Sequence, residues 1–292
     1  MPLRIVQSKQ NARLKELRRA LAHPGRESLG GWLGLAGIEG PNLLSEALRA
    51  GLRIDCVFAA EGSEHLLDGL RLAPETDVLL MPEELLTASL ATETPQPIAA
   101  LVEPPHWTWR NIFGGRPEGG LADSTNSTPN PLIIILAGLQ DPGNLGTILR
   151  SAEAFGATGI VSLPGTVIAW NPKAIRASAG SVFRVPLLSA TSAECFTRLR
   201  ETNVQIFSTA VEGATPAQRA DLSGSLALLI GNEGNGVPAD LAGQADQALT
   251  IPCSGPVESL NAAVAASVLL YEASRQRSAL TSAPLQFPGV PR

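Results

Sequence analysis

Three short segments carry residue types that could bind a ligand and act on it. The first reads Asp141-Pro142-Gly143-Asn144-Leu145-Gly146 and runs on to Arg150. Pro and Gly make the turn tight, and Asn144 is placed to cap the helix that follows. On that helix Leu145, Ile148, Leu149, Ala152 and Phe155 share one face. Arg150 falls about 160° from the middle of that stripe at ~100° per residue, with Gly146 one turn earlier leaving room above it. Such a cation either stands in solvent or meets an anionic ligand. The second segment, Gly231-Asn232-Glu233-Gly234-Asn235-Gly236, follows the apolar run Leu226 to Ile230. Its glycines let the backbone bend sharply and approach a ligand closely. The order is neither the dinucleotide G-x-G-x-x-G nor a P-loop, and a plain turn has no need of Glu233. The third segment runs from Ile251-Pro252 to Ser259-Leu260-Asn261. Ser259 can cap the next helix. That leaves Asn261, a poor helix former, unexplained at the mouth of an Ala-rich helix.

The elements that must position these loops alternate strand and helix. Leu132 to Ala137 is a fully apolar run, as expected of a strand buried on both faces. Helix is expected over Leu145 to Phe155, near Pro172 to Ala179, over Ala193 to Arg200 and over Ser259 to Arg277. Strands are expected over Gly159 to Leu163, Val204 to Thr209, Leu226 to Ile230 and Ala248 to Ile251. That order predicts a parallel sheet covered on both faces, with ligands gathered beyond the carboxyl ends of its strands. Residues 114–131 hold four Gly, three Pro and six Ser, Thr or Asn, and read as a flexible linker. Before it lies a smaller α/β unit over 1–113. It has a helix capped by Ser8, a strand over Trp32 to Ala36, a helix over Leu43 to Ala50 and a strand over Ile54 to Ala59. Further strands at Val78 to Met81 and Ile98 to Val102 flank a helix over Pro82 to Leu90. The second unit is 132–292.

Composition narrows the function. Of 292 residues 44% are apolar and 17% charged, enough for packed domains and too ordered a mixture for wholesale disorder. No stretch approaches the ~20 consecutive apolar residues of a spanning helix, and the N-terminus lacks a signal-like apolar core, which points to a cytoplasmic protein. Cys56, Cys195 and Cys253 stand far apart, and His23, His65 and His106 sit in separate contexts. A disulfide framework and a metal site are not expected. The net charge of −5 does not advertise a nucleic-acid binder, but residues 1–26 carry seven basic side chains against one acid. Arg13, Lys15, Arg18 and Arg19 form the densest part of that cluster.

The three segments, in this order, resemble the signature motifs of the SpoU/TrmH family of RNA ribose 2′-O-methyltransferases. The likeness lies in D-P-x-N-x-G-x-x-x-R (Asp141 to Arg150), L-I-G-N-E-G (Leu229 to Gly234), and I-P followed by S-L-N (Ile251-Pro252, Ser259 to Asn261). Arg176 to Pro186, reading RASAGSVFRVP, shares it. The first half, with its basic helix, Ile38-Glu39-Gly40-Pro41 and Thr94-Pro95-Gln96, resembles the substrate-binding domain that often precedes this catalytic domain. Pro97 departs from the Gly common there.

The resemblance implies a parallel sheet with a C-terminal trefoil knot, S-adenosylmethionine held by the knot loops, and an obligate homodimer. It places Leu229, Ile230, Gly231, Asn232, Gly234, Ile251, Pro252, Leu260 and Asn261 at the cofactor. It assigns Arg150 to the ribose hydroxyl, with Asn144, Ser259 and Asn261 fixing geometry. Glu233 is then either a proton acceptor or an orienter of Arg150. Lys173, Arg176 and Arg184 are candidate RNA contacts beside the N-terminal cluster. Ribosomal RNA is expected over transfer RNA. A non-catalytic RNA binder of the same fold would lack Arg150, Glu233 or Asn261, and none is lacking.

Overall fold

The apolar runs assemble into two sheets, described by a computed structural model over residues 3–22, 27–28, 31–32, 34–90, 92–115, 130–210, 213–256 and 259–281. The first half contains β1 (Leu3–Ile5), α1 (Ala12–Ala22), the short hairpin β2 (Glu27–Ser28) and β3 (Gly31–Trp32), β4 (Ala36–Glu39) and α2 (Pro41–Arg49). β5 (Ile54–Ala60), β6 (Asp77–Met81), α3 (Glu83–Thr87), β7 (Ile98–Val102) and α4 (Trp109–Ile112) follow. The five-stranded order is β1-β6-β5-β7-β4, with β7 antiparallel to both neighbours.

The two-residue period of its strands divides this sheet cleanly. Val57, Ala59, Val78, Leu80 and Ala100 face α2, and their cluster continues into the second half. Phe58, Leu79 and Leu101 face the other way, beneath Leu14, Leu17 and Leu21 of α1 and Leu85 and Leu86 of α3. The basic helix α1 thus covers the face turned away from the second half. Two expectations shift. Asn11, not Ser8, caps α1, its Oδ1 accepting from the amides of Arg13 and Leu14. The strand expected over Trp32 to Ala36 instead starts at Ala36, where pairing with Val102 begins.

The second half contains β8 (Leu132–Leu136), α5 (Pro142–Ala154), β9 (Gly159–Ser162), α6 (Pro172–Ser178), β10 (Leu187–Ser189), α7 (Ser192–Glu201), β11 (Gln205–Thr209) and β12 (Thr215–Pro216). β13 (Leu226–Ile230), α8 (Ala239–Ala242), β14 (Gln247–Thr250) and α9 (Ala262–Thr281) complete it. The order is β10-β9-β8-β13-β11-β14-β12 and every pair is parallel. Ile134, Leu136, Leu228 and Ile230 pack under α5 and α9, while Ile133, Ile135, Ala227 and Leu229 pack under α7 and α8. β10, β12 and α8 were not expected; each is too short to leave a periodic trace.

One boundary moves. α4, which the sequence groups with residues 1–113, packs on the second sheet, with Ile112 buried beside Ile133 and Ile135. Thr158 Oγ1 donates to the Ile112 carbonyl at 2.7 Å, and Trp109 Nε1 donates to Glu194 at 2.8 Å. The expected linker over 114–131 lies mostly outside the described residues.

Candidate functional site

Beyond the carboxyl ends of β11, β13 and β14 lies a cleft of about 980 Å³. Its walls are Thr209 and Ala210 at the end of β11, the loop 231–236 after β13, Ile251 to Cys253 after β14, and Leu260, Ala262, Ala265 and Leu269 along the start of α9. Of the residues expected at the cofactor, Ile230, Gly231, Asn232, Gly234, Ile251, Pro252 and Leu260 line it. Leu229 does not. Its side chain points to the opposite face of the sheet, into the core under α7 and α8, because neighbours on a strand alternate sides. Thr209, Ala210 and Pro216 were missed: their residue types are ordinary, and only the position of strand ends could have flagged them.

Gly231 carries the shape of this wall. A Cβ there would sit 2.0 Å from the Gly236 carbonyl carbon and 2.2 Å from the Val237 amide, so no side chain fits. The loop closes on itself through paired backbone hydrogen bonds between Asn232 and Gly236 at 3.0 and 2.9 Å. Asn232 braces it from both ends, donating to the Gly138 carbonyl at 2.8 Å and accepting from Gly234 at 2.9 Å.

The three segments meet through one hydrogen-bonded chain. Glu233 accepts from the amides of Asp141 and Gln140 at 3.2 and 3.4 Å and from Asn144 Nδ2 at 2.9 Å. Asn144 Oδ1 accepts from Asn261 Nδ2 at 3.0 Å, and Asn261 Oδ1 accepts from the amides of Ala263 and Val264. The caps therefore differ from expectation. Asp141 caps α5 through the Gly143 amide and pairs with Lys173 at 2.7 Å. Asn261 caps α9, whereas the exposed Ser259 makes no hydrogen bond among the described residues and lines the cleft. Each displaced cap frees or fixes a polar side chain. Asn144, a turn inside α5, becomes the link between Glu233 and Asn261.

The electrostatics follow. Burial works to raise the Glu233 pKa, but the Asn144 side chain and the amides of Glu233, Asp141 and Gln140 outweigh it and hold the carboxyl below its ordinary value. A carboxylate with its lone pairs so engaged is a poor proton acceptor. Arg150 is exposed on α5 and has no hydrogen bond or ion pair among the described residues. Gly146 does not make room for it. A Cβ on Gly146 would lie 2.5 Å from the Ala174 carbonyl oxygen, so this glycine lets α6 approach α5.

The remaining cations divide. Arg176 is exposed and unpaired among the described residues, while Lys173 is committed to Asp141. Arg184 is taken up by Glu153 and Glu46, so it is not a free RNA contact. On α1, Arg13 pairs with Glu16 and Asp55, and Arg18 donates to Ser89 and the Lys9 carbonyl. Lys15 and Arg19 remain exposed. No described helix is long and apolar enough to cross a membrane, and no His, Cys, Asp and Glu cluster suited to a metal occurs among the described residues.

Residues 131–271 match the SpoU rRNA methylase family, and 38–108 match the RNA 2′-O ribose methyltransferase substrate-binding domain. The 23S rRNA (guanosine(2553)-2′-O)-methyltransferase RlmP of Bacillus subtilis is 31% identical over 266 residues, spanning 91% of this chain and 97% of the relative. An AdoMet-bound rRNA methyltransferase from Sinorhizobium meliloti superposes with a TM-score of 0.77 at 28% identity, over 94% of this chain and 98% of that one. The SpoU methyltransferase AviRb from Streptomyces viridochromogenes, solved with AdoMet, gives 0.75 at 26% identity, over 92% and 99%. The motif loops that meet around the cleft, the substrate-binding half before them and the full-length likeness agree: the chain belongs to the SpoU family of RNA methyltransferases.

Proposed function

We propose that this chain transfers the methyl group of S-adenosylmethionine to a ribose 2′-hydroxyl of ribosomal RNA, in the cytoplasm and as a homodimer. The observation that carries the reading is the chain Glu233–Asn144–Asn261, which draws three separate loops to the rim of one cleft, with the unpaired Arg150 six residues further along α5 from Asn144. The cleft suits the cofactor. Ile230, Ile251 and Leu260 offer an apolar slot, and Gly231 offers bare backbone for close hydrogen bonds. When bound, the cofactor supplies an electrophilic methyl on sulfur and leaves as a neutral thioether.

The residues then have to position a weak nucleophile and stabilise its loss of a proton. Arg150 stays protonated as a guanidinium. Its role is to hold the neighbouring phosphate and the developing alkoxide. Glu233 serves as a latch between the loops after β8 and β13, and Asn144 and Asn261 carry that latch to α9.

The homodimer rests on α9. Val264, Val268 and Tyr271 are 47%, 38% and 54% exposed at helical spacing, and Tyr271 stacks edge-on with Phe155 of α5. Ser151 of α5 bonds Ser267 of α9, so α5, which carries Arg150, packs beside α9. A second copy is the natural cover for it. The trefoil knot belongs to the same reading. It is supported by β13 lying between β8 and β11 with its following loop packed tightly at Gly231.

The test is to map 2′-O-methyl groups in total RNA with and without the gene. One ribose of ribosomal RNA should lose its methyl group. Loss confined to transfer RNA would replace the substrate, and no loss would end the proposal. Val268→Arg with Tyr271→Arg should give monomers by sedimentation.

A further inference from the structure

We infer that Arg184, which bridges Glu46 of α2 and Glu153 of α5, is a positioning residue that sets the angle between the RNA-holding half and the helix carrying Arg150. This rests on the activity proposed above. Arg184 follows α6 in a 3₁₀ turn, and its planar fork is used on both edges. One edge holds both carboxylate oxygens of Glu153, with Nη2 to Oε2 at 3.1 Å and Nε to Oε1 shorter. The other reaches across to the first half, with Nη1 to Glu46 Oε2 at 2.7 Å. Bidentate pairing of this kind fixes direction as well as distance.

Three further observations place the clamp at a tight junction. The side chains of Arg184, Glu46 and Glu153 are only 33%, 25% and 34% exposed, so salt screens them less than surface pairs. Gly180, just before the turn, faces Glu46 so closely that a Cβ would lie 2.8 Å from the Glu46 Cβ. The cores are also continuous here, since one apolar cluster holds Ile38 and Leu44 of the first half with Ile148 and Ile175 of the second. The Glu153 carboxyl is held below its ordinary value, first by its hydrogen bond from Arg184, so the clamp stays charged at neutral pH.

The clamp ends on the working helix. Glu153 lies three residues beyond Arg150, about one helical turn, on α5. Neither Glu46, Arg184 nor Glu153 lines the cofactor cleft. Breaking the clamp therefore disturbs how RNA is presented to Arg150 while sparing the cofactor. A misplacement of about 1 Å between bound substrate and catalytic group costs on the order of 100-fold in rate.

The test uses the full chain with substitutions at Glu46, which lies in the half that does not line the cofactor cleft. Methyl transfer from S-adenosylmethionine to transcribed 23S rRNA, cofactor calorimetry and small-angle X-ray scattering are measured together. Glu46→Lys should lower kcat/KM by about tenfold or more, chiefly through kcat, with the cofactor Kd within twofold. Glu46→Gln keeps an acceptor and should fall between this variant and the native chain. Scattering should show a larger radius of gyration for Glu46→Lys without RNA. Native kcat/KM with native scattering in Glu46→Lys overturns the inference. So does a loss of cofactor affinity matching the loss of activity, which would mark a merely structural ion pair. If the native chain methylates no ribosomal RNA, the proposed activity fails, and the scattering still decides whether Glu46 and Arg184 hold the halves together.

Discussion

Arg150 on α5 and Arg13 on α1 are both helical arginines set against an apolar stripe, and the protein uses them oppositely. Arg13 is neutralised by Glu16 and Asp55, each at 2.9 Å. Arg150 forms no ion pair or hydrogen bond among the described residues, while the polar side chains where α5 begins are bonded to one another. Charge counting would have ranked α1 first, because the N-terminal 26 residues are its richest basic stretch. Geometry reverses the order. Around α5 the polar groups saturate each other and leave one cation over, which is what a site for an anionic ligand needs. On α1 the acids stand among the bases, and the helix covers the face of the first sheet turned away from the cleft.

The sharpest way to break that contrast is Arg150→Ala. Removing a preorganised cation from a developing alkoxide costs about 10²–10³ in rate. Methyl transfer should fall by that much, with cofactor affinity within a few-fold. Activity retained in a labelled-methyl assay would return Arg150 to the solvent. Next is Gly231→Val. Its side chain has no space beside Gly236, and overpacking of this kind costs about 1–3 kcal/mol. Cofactor affinity should fall by about tenfold or more while the first half folds normally, as calorimetry and circular dichroism would show.

Glu233 gives a smaller effect with a definite pH sign. Its folded pKa lies below the unfolded carboxylate value. The stabilisation it gives the loop is therefore present above that unfolded value and is lost as pH falls through the folded one. Cofactor affinity should stay flat from pH 8 to about 5 and drop only below. Glu233→Gln should bind several-fold more weakly between about pH 5 and 8, since charge-assisted bonds are about twice as strong as neutral ones, and the difference should close at lower pH as the native carboxyl protonates. An affinity that changes with pH between 6 and 8 would contradict the latch.

The same contrast explains what could be read from the chain. Leu132 to Leu136 and Leu226 to Ile230 were legible because uniform apolar runs mark central parallel strands. The cleft loops were legible because Gly231, Glu233 and Asn261 are odd choices for a turn or a helix start. Their caps were not, since Asp141 and Asn144 are both cap formers within one turn, as are Ser259 and Asn261, and only tertiary bonding decides between them. Arg184 looked like an RNA cation because its partner Glu46 lies 138 residues away, beyond any local pattern.

The smallest effect tests α1 itself. Only Lys15 and Arg19 of its basic cluster remain exposed without a partner among the described residues, because Arg13 and Arg18 are engaged by Glu16, Asp55 and Ser89. If these two contact phosphate, each releases about one counterion, and removing both should reduce the slope of log K against log salt by about 1.5. Arg13→Ala with Arg18→Ala should leave that slope unchanged and instead lower the unfolding temperature, because it removes ion pairs and hydrogen bonds that hold α1 to its sheet. Because α1 faces away from the cleft, Lys15→Ala with Arg19→Ala should matter for a long structured RNA and not for a short stem around the methylated ribose. RNA affinities across a salt series for both lengths decide it. An effect on the short stem equal to that on the long RNA would mean that RNA bound at the cleft also reaches α1, and that the two faces of the first half serve one binding surface.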